Sequence, residues 1–178
     1  MSPPRPVHVG VSFGKLESLH DGLGEFSLQL ARRLAARAPE LEAEGIRLHF
    51  HTRRHRLPLL GEGVGRLELH RIQKYLHVRP VRFDVWHRTH QLISHLPPLG
   101  ARHRMVTVHD FNYVYGKTGR ELERQTRRSR RMLAGTDLVV TDTRYVAGDV
   151  RGHGGFRGPV ETIHLGARSL VGDPQEPV

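Results

Sequence analysis

Three short apolar runs that close on polar residues constrain this chain most: residues 83–87 (FDVWH), 104–110 (RMVTVHD) and 136–141 (TDLVVT). A strand that is apolar along its whole length must be covered on both faces, which is how parallel sheets are built. The remaining segments supply the alternation such a sheet needs. Residues 6–12 (PVHVGVS) read as a first strand, residues 45–52 (GIRLHFHT) as a second, residues 66–72 as a weaker third and residues 160–164 as a last. Leu23, Phe26, Leu30, Leu34 and Ala38 recur at spacings of three and four, an amphipathic helix that Pro39 closes. Residues 57–65, rich in Gly and Pro, read as a loop. Residues 118–134 have helix composition, and Thr143 is placed to cap a further short helix. The expected fold is therefore α/β: a doubly wound, mostly parallel sheet with helices on both faces, in the Rossmann-like manner.

At 178 residues the chain is long enough for one domain with its own core. It has no cysteine, which excludes a disulfide scaffold, a thiolate metal site and a cysteine nucleophile. No segment has the ~18 consecutive apolar residues of a spanning helix, and the first ten residues lack the apolar core of a signal peptide. The charge is unusual. The net value is +10, and of 28 basic residues only Lys15, Lys74 and Lys117 are lysine. Such a surface seeks phosphate.

In a doubly wound sheet the ligand sits outside the C-terminal strand ends. Three ends carry chemistry: the glycine turn after the first strand, His87-Arg88-Thr89-His90, and His109-Asp110. Asp21-Gly22-Leu23-Gly24 runs straight into a helix, where free backbone N–H groups and the helix dipole favour an anion or a sugar oxygen. A dinucleotide fingerprint would need a third glycine where Ser27 stands, and no ribose-binding acid follows the second strand. Gly116-Lys117-Thr118 resembles the end of a phosphate-binding loop, but Phe111 occupies the position of its first glycine. Histidines number 14, with His49 and His51 on one strand face, yet no His-Glu-x-x-His occurs and no metal is expected. His109, at an apolar strand end, is placed to bond a sugar hydroxyl or move a proton, with Asp110 ordering the loop. Arg120, Arg124, Arg127, Arg128, Arg130 and Arg131 crowd one predicted helix and are expected to spread over more than one face. Aromatic residues are few and not interleaved with them, so anionic lipid headgroups are a better partner than nucleic acid.

In this order the segments resemble the N-terminal domain of family-4, GT-B fold, retaining glycosyltransferases, over nearly the whole chain. Asp21-Gly22-Leu23-Gly24-Glu25-Phe26 is similar to the family's glycine-rich helix start, with Asp21 in place of the first glycine. Phe83-Asp84-Val85-Trp86-His87 resembles its Asp-Val-Val-His strand. Pro97-Pro98 followed by Val106-Thr107-Val108-His109-Asp110 resembles its Val-Thr-Val-His-Asp strand. Residues 134–140 with Thr143, Tyr145 and Asp149 resemble its Ala-Asp segment. Residues 160–167 resemble the strand ending Pro-Asn-Gly-Val, with His164-Leu165 in place of Pro-Asn.

The resemblance implies an enzyme of hexosyl transfer with retention, needing no cofactor or metal. Its partners would be a nucleotide-sugar and a glycan or lipid-linked acceptor, at the cytoplasmic side of a membrane. Residues 1–168 would form the acceptor-side domain and residues 169–178 the start of a linker or tail. A donor-binding domain would have to complete the enzyme, and the acceptor-side domain alone would be inactive. Asp21, Gly22 and Gly24 would face donor phosphate and acceptor. His109, supported by Asp110, would be catalytic, and His87, Arg88 and His90 would line the acceptor pocket. The competing expectation is a non-catalytic basic module that binds nucleic acid or anionic lipid.

Overall fold

The computed structural model describes residues 5–14, 16–19 and 21–166, so the expected linker or tail at 169–178 lies outside the described residues. Seven strands form one sheet: β1 (Val7–Gly14), β2 (Ile46–Thr52), β3 (Gly65–Glu68), β4 (Val85–Arg88), β5 (His103–Val108), β6 (Leu138–Thr141) and β7 (Val160–Thr162). Their order is β3-β2-β1-β4-β5-β6-β7 and every pair is parallel. Strand order reverses between β1 and β4, and that point sets the position of the cleft described below.

Five helices pack on the sheet: α1 (Gly22–Ala36), α2 (Ala38–Ala43), α3 (Asn112–Gly116), α4 (Gly119–Ala134) and α5 (Arg144–Gly152). The strand register separates the two faces. Val11 pairs with His87 and His87 with Met105, so these share one face, while Gly10, Trp86 and Val106 belong to the other. On the first face Val11, Phe13, Leu48 and Phe50 meet Ala31 of α1 and Ala38 of α2. On the second, Val106 and Val139 meet Leu133 of α4 with Val146 and Val150 of α5. Trp86 fills the space under β1 on that second face. It comes so close that a Cβ on Gly10 would lie 2.2 Å from the Trp86 ring, so this strand position must be glycine.

Local chemistry explains where the elements fall. Asp21 caps α1 by accepting a 2.7 Å hydrogen bond from the Gly24 N–H, and Thr143 caps α5 from the Val146 N–H as its sequence position suggests. Three details depart from the sequence expectation. Pro39 does not end the helical region but lies in the first turn of α2, where its missing N–H costs nothing. The third strand stops at Glu68 because His70 and Gln73 cap each other and turn residues 71–74 into a 3-10 helix. A second 3-10 helix, Arg54–Leu60, occupies part of the expected loop and buries Leu57 and Leu60.

Candidate functional site

A cleft of about 340 Å³ opens at the C-terminal ends of β1 and β4, at the reversal of strand order. This is where doubly wound sheets place their ligands. Gly14 and the first turn of α1 form one wall, and His90 with residues 92–95 forms the other. Lys74 and Arg128 also line it. Arg128 is held by a 3.0 Å hydrogen bond to the Leu92 carbonyl, across the gap between α4 and the loop after β4.

Two polar atoms in this cleft make no hydrogen bond within the protein: Ser27 Oγ and His90 Nδ1. Ser27 is only 1% exposed. Burial lowers the His90 ring to about 4, with the charge of His109 acting the same way, so the ring is neutral at neutral pH. Its other nitrogen is engaged by the Phe13 backbone, which leaves Nδ1 as an acceptor. Both atoms are buried behind the cleft lining, a hydroxyl donor on Ser27 and an imidazole acceptor on His90. A buried polar group without a partner costs ~1–3 kcal/mol. Arg56 Nε, Tyr113 Oη and Asp149 Oδ2 are also unpartnered, and Ser27 and His90 are the two that fall on the cleft lining.

The glycine turn is built differently from a free anion cradle. The Asp21 carboxylate itself meets the start of α1, and the Asp21 carbonyl accepts from the Glu25 N–H at 2.9 Å. Gly24 is required because a Cβ there would lie 2.2 Å from the Ser18 carbonyl oxygen, whereas Gly22 faces open space. Asp21 and Gly24 line the cleft.

The other expected residues separate. His87 is buried in the sheet, hydrogen-bonded through Nε2 to Thr107 Oγ1 at 2.9 Å, and burial holds its ring at about 4. Arg88, one residue on, points to the opposite face. Its guanidinium reaches Met132 O at 3.4 Å and Thr136 Oγ1 at 3.3 Å, at the C-terminal end of α4. Burial lowers it to about 10, and it remains charged at neutral pH where the helix dipole favours a cation. Of the cluster after β4, only His90 lines the cleft.

His109 stands at the end of β5 beside the N-terminal half of α1, its ring edge-on to Phe26 with centroids 4.6 Å apart. Nδ1 lies 2.5 Å from Asp142 Oδ2 and Nε2 lies 2.9 Å from Thr89 O. The ring thus ties the ends of β4, β5 and β6 together. Its carboxylate partner is Asp142, which the sequence reading did not single out, rather than Asp110. Asp110 instead accepts from the Asn112 N–H at 3.1 Å and orders the start of α3. The available signal for Asp142 was its position: the first residue past the apolar run of β6, as His109 is past β5.

All six arginines of α4 are exposed. Arg120, Arg124, Arg127 and Arg131, spaced i, i+4, i+7 and i+11, form one row, while Arg128 and Arg130 leave the helix on either side of it to bond the Leu92 and His153 carbonyls, so the six spread over more than one face as the sequence suggests. Among the described residues no group of three or more His, Asp or Glu is arranged to hold a metal ion, and no helix is long and apolar enough to cross a membrane.

This is a Rossmann-like α/β domain with a polar cleft at the reversal of its strand order. No protein-family model and no curated protein sequence matches the chain.

Proposed function

We propose that this domain is the acceptor-side half of a glycosyltransferase that moves a hexosyl group from a nucleotide-sugar to a glycan or lipid-linked acceptor. The observation that carries the reading is the pair of unpartnered polar atoms, Ser27 Oγ and His90 Nδ1, in the cleft at the strand reversal. A donor and an acceptor buried without partners just behind the cleft lining suit the hydroxyl of a sugar, which both donates and accepts, once a ligand displaces the lining over them. The resemblance of the glycine turn, the Val-Thr-Val-His-Asp strand and the later segments supports the same assignment.

In this reading the buried wall of the cleft takes sugar hydroxyls, because Asp21 already neutralises the start of α1. A ligand phosphate goes to Lys74 and Arg128. His109 acts as a positioning residue: with both ring nitrogens bonded to Asp142 and Thr89, it fixes the loop that presents His90. Stabilisation of the leaving nucleotide phosphate, usually the largest contribution to such a transfer, has to come from a donor-binding domain. Residues 1–178 alone therefore transfer no sugar.

Isothermal titration with methyl glycosides of the common hexoses and with the corresponding hexose phosphates tests the assignment. The wild type binds at least one of them saturably. Ser27→Ala weakens that binding about two- to tenfold, the worth of one hydrogen bond, and leaves thermal stability unchanged because no internal bond is lost. A wild type that binds none of these sugars overturns the assignment, as does Ser27→Ala binding undiminished.

A further inference from the structure

Two stretches of the surface next to the cleft are apolar without being covered. After β3, Ile72, Tyr75, Leu76 and Val78 are 62, 80, 51 and 64% exposed, and after β4, Leu92 and Leu99 are 54 and 63% exposed. Backbone hydrogen bonds make the two stretches one surface: Leu96 N–H to Gln73 O at 2.9 Å and Leu99 N–H to His77 O at 2.8 Å. Beneath them the segment is rigidly anchored. His77 Nδ1 lies 2.7 Å from Leu96 O, and Arg79 donates to His77 and to the Glu68 carbonyl. The exposure is therefore a feature of an ordered surface.

The charge around this patch is mainly basic, with Glu17 and Asp21 on the far lining of the neighbouring cleft. Between Leu69 and His109 the only acid is Asp84, and Arg5 holds it in a salt bridge. Arg71 and Lys74 flank Ile72 and Tyr75 directly. The bond from Arg128 to Leu92 O joins the patch to α4 and so to the row Arg120, Arg124, Arg127 and Arg131. The acids of α4, Glu121 and Glu123, offset that row only in part: Glu121 lies 3.3 Å from Lys117 and 3.9 Å from Arg124.

We infer that residues 72–78, residues 92–99 and the arginine row of α4 together form a docking surface for an anionic lipid bilayer. Exposed aliphatic side chains enter the boundary between headgroups and acyl chains, and the guanidinium row pairs with lipid phosphates. Nucleic acid fits less well. It would use the arginines but would leave Ile72, Leu76, Val78 and Leu99 facing water, and single strands need several aromatics where this surface has only Tyr75. The surface borders the cleft, sharing Lys74, Leu92 and Arg128 with it, so a docked domain holds the cleft at headgroup level. The inference does not depend on sugar transfer: a lipid-binding domain with another activity would show the same surface.

Vesicle co-sedimentation of the full chain tests it. Vesicles of phosphatidylcholine mixed with phosphatidylglycerol bind the protein, and vesicles of phosphatidylcholine alone bind it far less. Replacing Arg120, Arg124, Arg127 and Arg131 one at a time by Gln weakens binding about fivefold per residue. Tyr75→Ser with Leu76→Ser also weakens it, and the loss persists at high salt, where charge pairing is screened. Trp86 is buried, so in Tyr75→Trp a blue shift of the new fluorophore on adding the anionic vesicles reports entry into the bilayer. These side chains are exposed, and circular dichroism confirms that the variants fold. Absence of binding to the anionic vesicles overturns the inference. So does binding that the serine variants leave intact, or tight binding to duplex DNA with no blue shift on vesicles; the last result assigns the arginine row to nucleic acid. Sugar binding lost by Ser27→Ala with vesicle binding retained separates this surface from the cleft.

Discussion

One face of the sheet carries two different interiors. Under β5 and β6 it is aliphatic, with Val106, Val108, Val139 and Val150 closed over by Leu133. Under β2, β1 and β4 it is built from histidines around Trp86. His51 bonds Ser12 Oγ at 2.9 Å and Gln73 Oε1 at 3.0 Å, stacks on His77, and lies 5.3 Å from the Trp86 ring. His8 and His49 pair at 2.9 Å on the same face. The first interior is held mainly by aliphatic burial, with Arg88 and Asp149 as hydrogen-bonded polar groups at its edge. The second is held by hydrogen bonds that require neutral rings, because burial lowers His51 to about 3 and also lowers His49 and His77. The half of the sheet that carries the cleft is thus the half built from titratable groups.

Acid should separate the two halves most sharply. A buried histidine whose ring is held near 3 or 4 stays neutral in the folded protein while the unfolded chain protonates near 6.5. The unfolded state then binds more protons, so stability rises with pH in that window and is lost as pH falls from about 6.5 toward 4. The slope is about 1.4 kcal/mol per pH unit for each such histidine. Denaturant titrations at stepped pH measure it, and hydrogen exchange should show β1 and β2 losing protection before β5 and β6. A stability independent of pH across that range would erase the distinction.

Single substitutions sharpen it. Trp86→Ala removes the centre of the histidine-lined interior and should cost ~3–5 kcal/mol, while Val139→Ala in the aliphatic one should cost about 2 kcal/mol. Gly10→Ala forces a methyl into the Trp86 ring and should cost ~1–3 kcal/mol by overpacking. Urea unfolding of all three gives the ranking directly. Asp142→Ala breaks the His109 pair at the strand ends and should cost ~1–3 kcal/mol, more than Asp142→Asn, whose side-chain oxygen still accepts. Thermal unfolding distinguishes those two.

The aliphatic half was legible in the sequence. The runs 104–110 and 136–141 name β5 and β6 because their centres, Met105–Val108 and Leu138–Val140, suit a strand buried on both sides and polar residues flank them. The same reading gave a mostly parallel sheet; that every pair is parallel, and the strand order, came from the structure. The cleft was less legible, for physical reasons. His87, Arg88 and His90 look like one cluster along the chain, but strand side chains alternate faces. His87 enters the sheet interior, Arg88 goes under α4 and only His90 reaches the cleft. Ser27 gave no signal beyond replacing a glycine, since its lack of a partner exists only once α1 is packed. The His109–Asp142 pair joins residues 33 apart, brought together by β5 lying beside β6. The arginine row was visible as composition, but the apolar patch beside it was not, because the sequence does not show that residues 72–78 and 92–99 share one surface.

Chemical-shift mapping of the labelled protein during titration with methyl hexosides tests the central claim most directly. The account predicts saturable shifts at Gly24, Ser27 and His90, with β6 and β7 unmoved. Shifts absent at millimolar sugar, or confined to the arginines of α4, would contradict it.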